Sequence, residues 1–504
     1  MPVFTVKVKW GKEVYPDVEI NTDEPPLVFK AQLFALTGVN PNRQKVMMKG
    51  GTLKDDVWGN IQIVEGQNIL MMGSKDEDVP IEPTVKPTFV EDMTETQLAT
   101  VTNMPAGLTN LGNTCYLNAT VQCLKTVPEL RQALSDFNAA CKYIKKFSFL
   151  FYTFTFCILA SSSLSNFEPA EKITIAMSDL YRTMESHQTI PPLVLLQVLH
   201  QAFPRFADKV EGHYMQQDAN ECWVELIRML QQKLPALKND KSTTNYKSVI
   251  DQFFSGSFNV EWKCVESDTE EVTKTTESFL QLSCFISQDV KYMHSGLKNR
   301  MQEHITKHSP ILGKDAVYTK TSKISRLPAY LTIQFVRFFY KEKDKINAKI
   351  LKDIKFPIEF DAFELCTPEL QEKLVPIRSK IEELENKLAH GGVKPSAKQL
   401  AESKQEKPTA PYWFQDDYGS NNSGYYSLQA VLTHKGRSSS SGHYVGWVRE
   451  SPTSEKWIKC DDDTVTPVTT EEILKLSGGG DWHCAYVLLY GPKLLPVDTS
   501  SVSS

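Results

Sequence analysis

Apolar and polar residues alternate along FTVKVKW (4–10), which predicts a strand, and GKEVYPDVEI predicts a turn and a second strand. EPPLVFKAQLFALTGV changes to helical spacing and is closed by Gly38. RQKVMMKGGTLKDD and NILMMG return to strand patterning, so residues 1–74 form a small α+β unit. The acidic, Pro-bearing stretch 75–103 reads as a flexible linker with a short helix at its end. A large domain then spans 104–493. Tyr116 to Val127 predicts a helix that runs on through VPELRQAL, and IPPLVLLQVLHQAF and HYMQQDANECWVELIRMLQQKL predict two more. FFSGSFNVEWKCVES and ESFLQLSCFISQDV read as long strands. LPAYLTIQFVRFFYKEKDKINAKILKDIKFP reads as two strands joined by a charged, mobile loop. A charged helix and a low-complexity stretch at about 367–411 form an insertion without chemistry, and the tail 494–504 is expected to be disordered.

The run from Phe147 to Ala160 is aromatic and apolar, but shorter than the ~20 residues that a bilayer span needs. It is not amphipathic, so no membrane association is expected and no function is assigned to it. A net charge of −5 from 56 basic and 61 acidic residues argues against nucleic acid as a partner. Ten cysteines without framework spacing, behind an opening MPVFTVKVKW that reads as no secretory leader, place the chain in the reduced cytosol or nucleus.

Chemistry enters at GLTNLGNTCYLNAT (107–120), where Cys115 lies between a Gly/Asn-rich run and a predicted helix with Asn113 and Thr114 as capping types. The partial positive charge of a helix N-terminus favours thiolate, the nucleophile that acyl transfer needs. Gly107 and Gly112 let the backbone bend, and Asn110 is placed to aim its amide at a developing oxyanion. Taken alone, such a cysteine is a small buried apolar residue. Far downstream, however, GRSSSSGHYVGW carries His443, and WIKCDDDTV carries Asp461 and Asp462. Cys, then His, then Asp is the order of a papain-like thiol hydrolase. His434 ends a predicted strand and His483 packs at a strand start, so His443 is preferred as the general base.

GLTNLGNTCYLN resembles the Cys box of the ubiquitin-specific proteases. Tyr426-x-Leu428-x-Ala430-Val431 with His434, then Gly442-His443-Tyr444, resembles their His box, and LPAYLTIQFVRF is similar to the strand between. The resemblance covers most of 104–493 and implies an α+β papain-like catalytic domain of fingers, palm and thumb. The first unit then resembles the ubiquitin β-grasp. A conjugated modifier must end in Gly-Gly, whereas this unit ends in Met71-Met72-Gly73-Ser74, so it reads as a docking module.

The resemblance further implies hydrolysis of the isopeptide bond after ubiquitin's last glycine. Cys115 would be the nucleophile, His443 the base, Asp461 its orienting partner and Asn110 the oxyanion donor, with Asp462 supporting that region. Asp218 and Glu221 would grip basic residues of the ubiquitin tail. Arg437, Ser438, Ser439, Ser440 and Ser441 would form a flexible gating loop over the cleft, with Ser440 able to carry a phosphate. Partners would be ubiquitin, polyubiquitinated proteins and the regulatory particle of the 26S proteasome, with a monomer when free.

No cofactor is expected. The family's structural zinc needs two C-x-x-C pairs, and only Cys264 and Cys284 stand on those strands. His304 and His308 read as one solvated helix face. Cys460 replaces a usual aromatic and is expected to loosen the Asp loop. The rival readings are a catalytically silent ubiquitin-binding scaffold on the proteasome and, without a visible docking element, a ubiquitin ligase.

Overall fold

The computed structural model of the chain describes residues 3–49, 51–59, 61–75, 104–140, 167–239, 243, 245–341, 346–390, 409–438, 441–480 and 482–495. The linker 76–103, the apolar run 147–160, the low-complexity stretch 391–408, Ser439, Ser440 and residues 496–504 lie outside these. The chain separates into two compact units, Met1–Asp92 and Met93–Ser504.

In the first unit the predicted alternation buries Val6 and Val8 of β1 (Val3–Trp10) and Val18 and Ile20 of β2 (Glu13–Asn21). Helix α1 (Pro26–Thr37) starts on a proline and stops at Gly38, whose φ of 74° is left-handed. Strands β3 (Lys45–Met48), β4 (Gly51–Thr52) and β5 (Asn68–Met72) complete a sheet of order β2-β1-β5-β3-β4. The central pair β1–β5 is parallel, and Phe29 and Leu33 of α1 belong to the same core as these strands. This is the ubiquitin-like β-grasp.

The second unit has the fingers, palm and thumb that the resemblance implies. The thumb is helical. Strand β6 (Gly107–Leu108) leads into α2 (Cys115–Leu124), followed by α3 (Pro128–Ala140) and α4 (Pro169–Met184). Strand β7 (Thr189–Ile190) pairs with β6, then come α5 (Leu193–Ala202), the small hairpin β8–β9 (Lys209–Val210, His213–Tyr214) and α6 (Ala219–Lys233). The short α7 (Val249–Phe253) leads to the fingers.

The fingers are a sheet of β10 (Gly256–Cys264), β11 (Thr273–Phe279), β13 (Gln302–Ser309) and β14 (Lys314–Arg326). Strand β12 (Leu282–Phe285) and helix α8 (Met293–Arg300) lie between them in sequence. His304 and His308 therefore sit on strand β13, not on a helix. His304 meets the Thr319 hydroxyl at 3.3 Å and His308 faces Asp315 at 3.6 Å.

The palm joins β12 to β15 (Leu331–Val336), with the hairpin β16–β17 (Phe338–Lys341, Ile346–Lys349) beyond it in sequence. After β18 (Glu359–Asp361) and the 23-residue α9 (Pro368–His390) come four strands of the same sheet that pair in succession. These are β19 (Tyr425–Ser438), β20 (Ser441–Arg449), β21 (Trp457–Asp461) and β22 (Thr464–Val468). Helix α10 (Thr470–Leu474) precedes the last strand, β23 (Cys484–Pro492), whose residues are all buried. No described helix is long and apolar enough to cross a membrane.

Arg337, between β15 and the hairpin, is fully buried. Its guanidinium donates to the carbonyls of Ala485 (2.6 Å), Ile350 (3.0 Å), Lys352 (2.9 Å) and Ser477 (2.9 Å). Burial lowers its pKa from the usual range, and the four carbonyl dipoles offset part of that cost. Arg337→Met would leave these acceptors without their donor. We expect a loss on the order of 3 kcal/mol, read as a lower urea midpoint at unchanged m-value. An unshifted midpoint would show that the fold does not depend on this clamp.

Candidate active site

Every residue of α2 is buried, so its N-terminus is held rigidly between β20 and α6. Two of its polar side chains are anchored on backbone carbonyls. The Thr120 hydroxyl donates to Tyr116 O (2.7 Å), and Gln122 Nε2 donates to Ala106 O (2.6 Å). Ahead of it, Gly112 (φ 98°) and Asn113 (φ 55°) take left-handed conformations in succession. Asn110 Oδ1 ties this loop by accepting from the N–H groups of Gly112 (3.0 Å) and Thr114 (3.2 Å). The capping expectation is corrected: Thr114 occupies the cap position, but its hydroxyl accepts from Leu111 N instead of capping the helix. Asn113 turns away and donates to Tyr214 O. The first N–H groups of α2 are thus left facing the Cys115 end without a side-chain cap.

His443 stands near the start of β20, after Gly442 at φ 125°. A Cβ on Gly442 would lie 2.2 Å from Lys435 O and 2.6 Å from His434 Nε2, so the close approach of the two strands requires glycine. His443 Nε2 meets Asp461 Oδ1 at 2.6 Å, and Lys459 Nζ donates to Asp461 Oδ2 at 2.7 Å. Nδ1 is thereby the ring nitrogen left for the Cys115 sulfur. Tyr444 N–H lies 3.4 Å from that sulfur. The Asp461 carboxylate, and next the hydrogen bond to the Cys115 sulfur, raise the His443 pKa to about 10. The imidazole in turn holds the Asp461 carboxyl well below the usual range.

Asp462 forms the next contact. Its Oδ2 accepts from Asn110 Nδ2 (2.8 Å) and its Oδ1 from Asn118 Nδ2 (2.8 Å), while its backbone oxygen accepts from Leu108 N (2.8 Å). The Asn110 amide is therefore anchored by one hydrogen, and its other has no partner among the described residues. His443, Asp461 and Asp462 converge closely enough to suggest a cation site. Their facing atoms are already matched donor to acceptor, so the arrangement orients an imidazole and an amide.

The other candidates sort by burial. His434 lies inside β19 rather than at its end, with its ring on Ser441 O at 3.2 Å, and burial takes its pKa down to about 3. His483 touches Thr433 Oγ1 at 3.3 Å, and burial takes it down to about 4. Cys264 packs with Ala316 and Tyr318, while Cys284 belongs to a separate core where burial pushes its thiol up to about 12. Cys460 is 2% exposed in the β20–β21 ladder opposite Gly446 and belongs to the core under the Asp loop.

The two expected tail-binding acids differ. Asp218 caps α6, accepting from Asn220 N (2.8 Å) and Glu221 N (3.1 Å), and its Oδ2 also accepts from Tyr486 OH (2.8 Å). Burial nonetheless raises its pKa. Glu221 is exposed and lies 3.6 Å from Arg205. In the expected gating loop, Arg437 and Ser438 belong to β19 and Ser441 to β20, with Ser438 paired to Ser441. These three are strand residues, not free loop, because the hairpin ladder extends past Gly436 and Gly442.

One residue escaped the sequence reading. Gln216, 8% exposed, points Nε2 at Cys115 Sγ at 3.1 Å. It directly precedes Gln217-Asp218-Ala219-Asn220-Glu221, and its place before a helix cap facing the cysteine was the available signal.

Residues 106–490 match the family model described as ubiquitin carboxyl-terminal hydrolase. The chain is 39% identical to ubiquitin carboxyl-terminal hydrolase 7 of Arabidopsis thaliana, over 98% of this chain and 100% of that protein. It is 41% identical to ubiquitin carboxyl-terminal hydrolase 14 of Caenorhabditis elegans, over 98% of this chain and 94% of that protein. It is 36% identical to ubiquitin carboxyl-terminal hydrolase 6 of Schizosaccharomyces pombe, over 97% and 98%.

A histidine with a folded pKa near 10, against about 6.5 unfolded, stabilises the fold fully below the lower value. That contribution is lost as pH rises through the higher one. The melting-temperature deficit of His443→Ala against wild type should be largest near pH 6 and fade towards pH ~10. A deficit constant over that range would mean that the imidazole is not held charged.

Proposed function

The chain belongs to the ubiquitin carboxyl-terminal hydrolase family of cysteine-dependent deubiquitinating hydrolases, and on that premise we propose that Cys115 is its nucleophile. In this reading it cuts the isopeptide bond after ubiquitin's C-terminal glycine on proteasome substrates. The observation that carries the assignment is the convergence of Cys115, His443 and Asp461, with the 2.6 Å His443–Asp461 contact and Tyr444 N–H 3.4 Å from the sulfur.

The thiolate adds to the glycine carbonyl carbon, and the carbonyl electrons move to oxygen. The free hydrogen of the Asn110 amide, oriented by Asp462, and the Cys115 N–H receive that oxyanion. As the intermediate collapses, the imidazolium of His443 protonates the departing lysine amine. The neutral imidazole then takes a proton from water, which releases ubiquitin. Asp461 keeps the ring turned with Nδ1 to the sulfur. The desolvated Asp218 carboxylate suits an incoming arginine of the ubiquitin tail, since a guanidinium would relieve the burial that raises its pKa. Glu221 would receive a second basic residue by exchanging Arg205 for it.

We further propose that the ubiquitin-like unit docks on the proteasome in the cytosol or nucleus, and that docking raises the rate. In its support, Met47, Leu70 and Met72 are 41%, 41% and 54% exposed on adjacent strands. They form an apolar strip that a folded partner would cover.

Release of a fluorophore from ubiquitin's C-terminus tests both parts. Cys115→Ala should show no turnover, and Asp461→Asn should lose at least about 100-fold in kcat. The exposed Leu70→Glu should keep the basal rate and lose the rise on adding proteasomes. Turnover by Cys115→Ala would refute the nucleophile. A wild-type rate indifferent to proteasomes would refute the docking.

A further inference from the structure

We propose that Lys459 is a positioning residue for the hydrolysis, which holds the Asp461 carboxylate in place and weakens its grip on the His443 proton. The proposal rests on the reading of Cys115 as the nucleophile and His443 as its base.

The Asp461 carboxylate divides its two oxygens. Oδ1 meets His443 Nε2 at 2.6 Å, and Oδ2 accepts from Lys459 Nζ at 2.7 Å. Lys459 precedes Asp461 by two residues on β21, so both side chains leave the same face of the strand. Across the ladder Lys459 stands opposite Trp447 of β20, and its Nζ lies 5.7 Å from the centre of that ring. The indole is itself anchored, since Trp447 is buried and its Nε1 donates to Thr433 Oγ1 at 2.9 Å. The ammonium is thus held between a carboxylate and the face of an aromatic ring, both of which favour a cation.

Position is the first consequence. The two oxygens share one plane, so the Lys459 bond fixes the plane in which the carboxylate meets the imidazole. Without it, Asp461 would be oriented by the same ring that it has to orient. Charge is the second. A cation on Oδ2 offsets part of the carboxylate's charge, and it repels an imidazolium on the same carboxylate. Both effects lower the affinity of His443 for its proton. The reaction calls for this, because the ring gives a proton to the leaving amine and then takes one from water.

The other groups that face this pair stay in place when Lys459 is substituted. Cys115 of α2 faces His443, and Lys435 of β19 is its partner in the ladder. His483 lies 6.5 Å from it ring to ring, and His434 precedes Lys435 with Lys349 of β17 donating to its carbonyl. Burial keeps both of these rings neutral, so neither titrates in the alkaline range. Asp462 is taken up by Asn110 and Asn118.

The experiment uses the full-length chain and follows kcat and KM for the ubiquitin fluorophore substrate across pH. The alkaline limb of kcat/KM follows loss of the imidazolium proton. Lys459→Met keeps the length of the side chain and loses both charge and donor. Its alkaline limb should move up by roughly half to one pH unit, and kcat at neutral pH should fall about 10-fold with KM near wild type. Lys459→Gln keeps a donor without charge, so the limb should move while kcat falls less. Lys459→Arg keeps both and should return the limb to its wild-type position. Should the methionine variant fail to fold, the glutamine variant still reads the charge. A limb that does not move up in the neutral variants, with Cys115→Ala inactive, would overturn this proposal alone, as would an arginine variant that shifts as far as they do. Turnover by Cys115→Ala would overturn the nucleophile reading instead.

Discussion

The Asp462 carboxylate ties together two segments that lie at opposite ends of the catalytic domain in sequence. One oxygen takes the Asn110 amide of the cysteine loop and the other takes the Asn118 amide of α2. Its backbone carbonyl accepts from Leu108, and the turn that presents it bends left-handed at φ 53°. A Cβ on Gly107 would sit 2.4 Å from Asp463 O, so the cysteine segment can press against this turn only as glycine. Asp461 is the preceding residue. The bond that anchors Asn110 therefore also fixes where the His443 partner stands, and the Asn110 amide and the His443 imidazole share one mounting.

That mounting works because α2 cannot move. The helix is buried along its whole length, and both the palm sheet and the thumb helices supply its core. Close packing of this kind transmits position without slack. On and beside its first turns, Tyr116 OH, Asn118 Oδ1, Gln216 Oε1 and Tyr444 OH are among the buried polar atoms without a partner among the described residues. Such atoms cost stability in the empty enzyme.

Much of this was legible in the sequence, for identifiable reasons. The β-grasp unit follows from alternation and a helix bounded by Pro26 and Gly38, all local signals. Cys115, His443 and Asp461 were readable because each lies in a short ordered motif. What escaped depends on long-range contacts. Thr114 has a capping side chain by type, yet Leu111 N claims it. His304 and His308 have helical spacing, yet the β14 ladder pulls them into a strand. The serines before His443 look like free loop, yet hairpin pairing takes Ser438 and Ser441. Gln216 carries no signal by type and meets the sulfur only through the fold.

The three histidines near the cleft show how environment assigns roles to identical side chains. His434 and His483 are buried beside cations, Lys349 and Lys459 respectively, and their pKa values fall to about 3 and about 4. Both rings are neutral at any physiological pH and serve as packing. The His443 ring lies 6.5 Å from the His483 ring, yet its pKa rises to about 10 because a carboxylate and a sulfur face it. Keeping its neighbours neutral spares His443 the repulsion of two nearby positive charges, which would otherwise oppose the imidazolium. In the proposed mechanism that separation of titrations leaves one ring to hold a proton for the leaving amine, with two rings unable to compete for it.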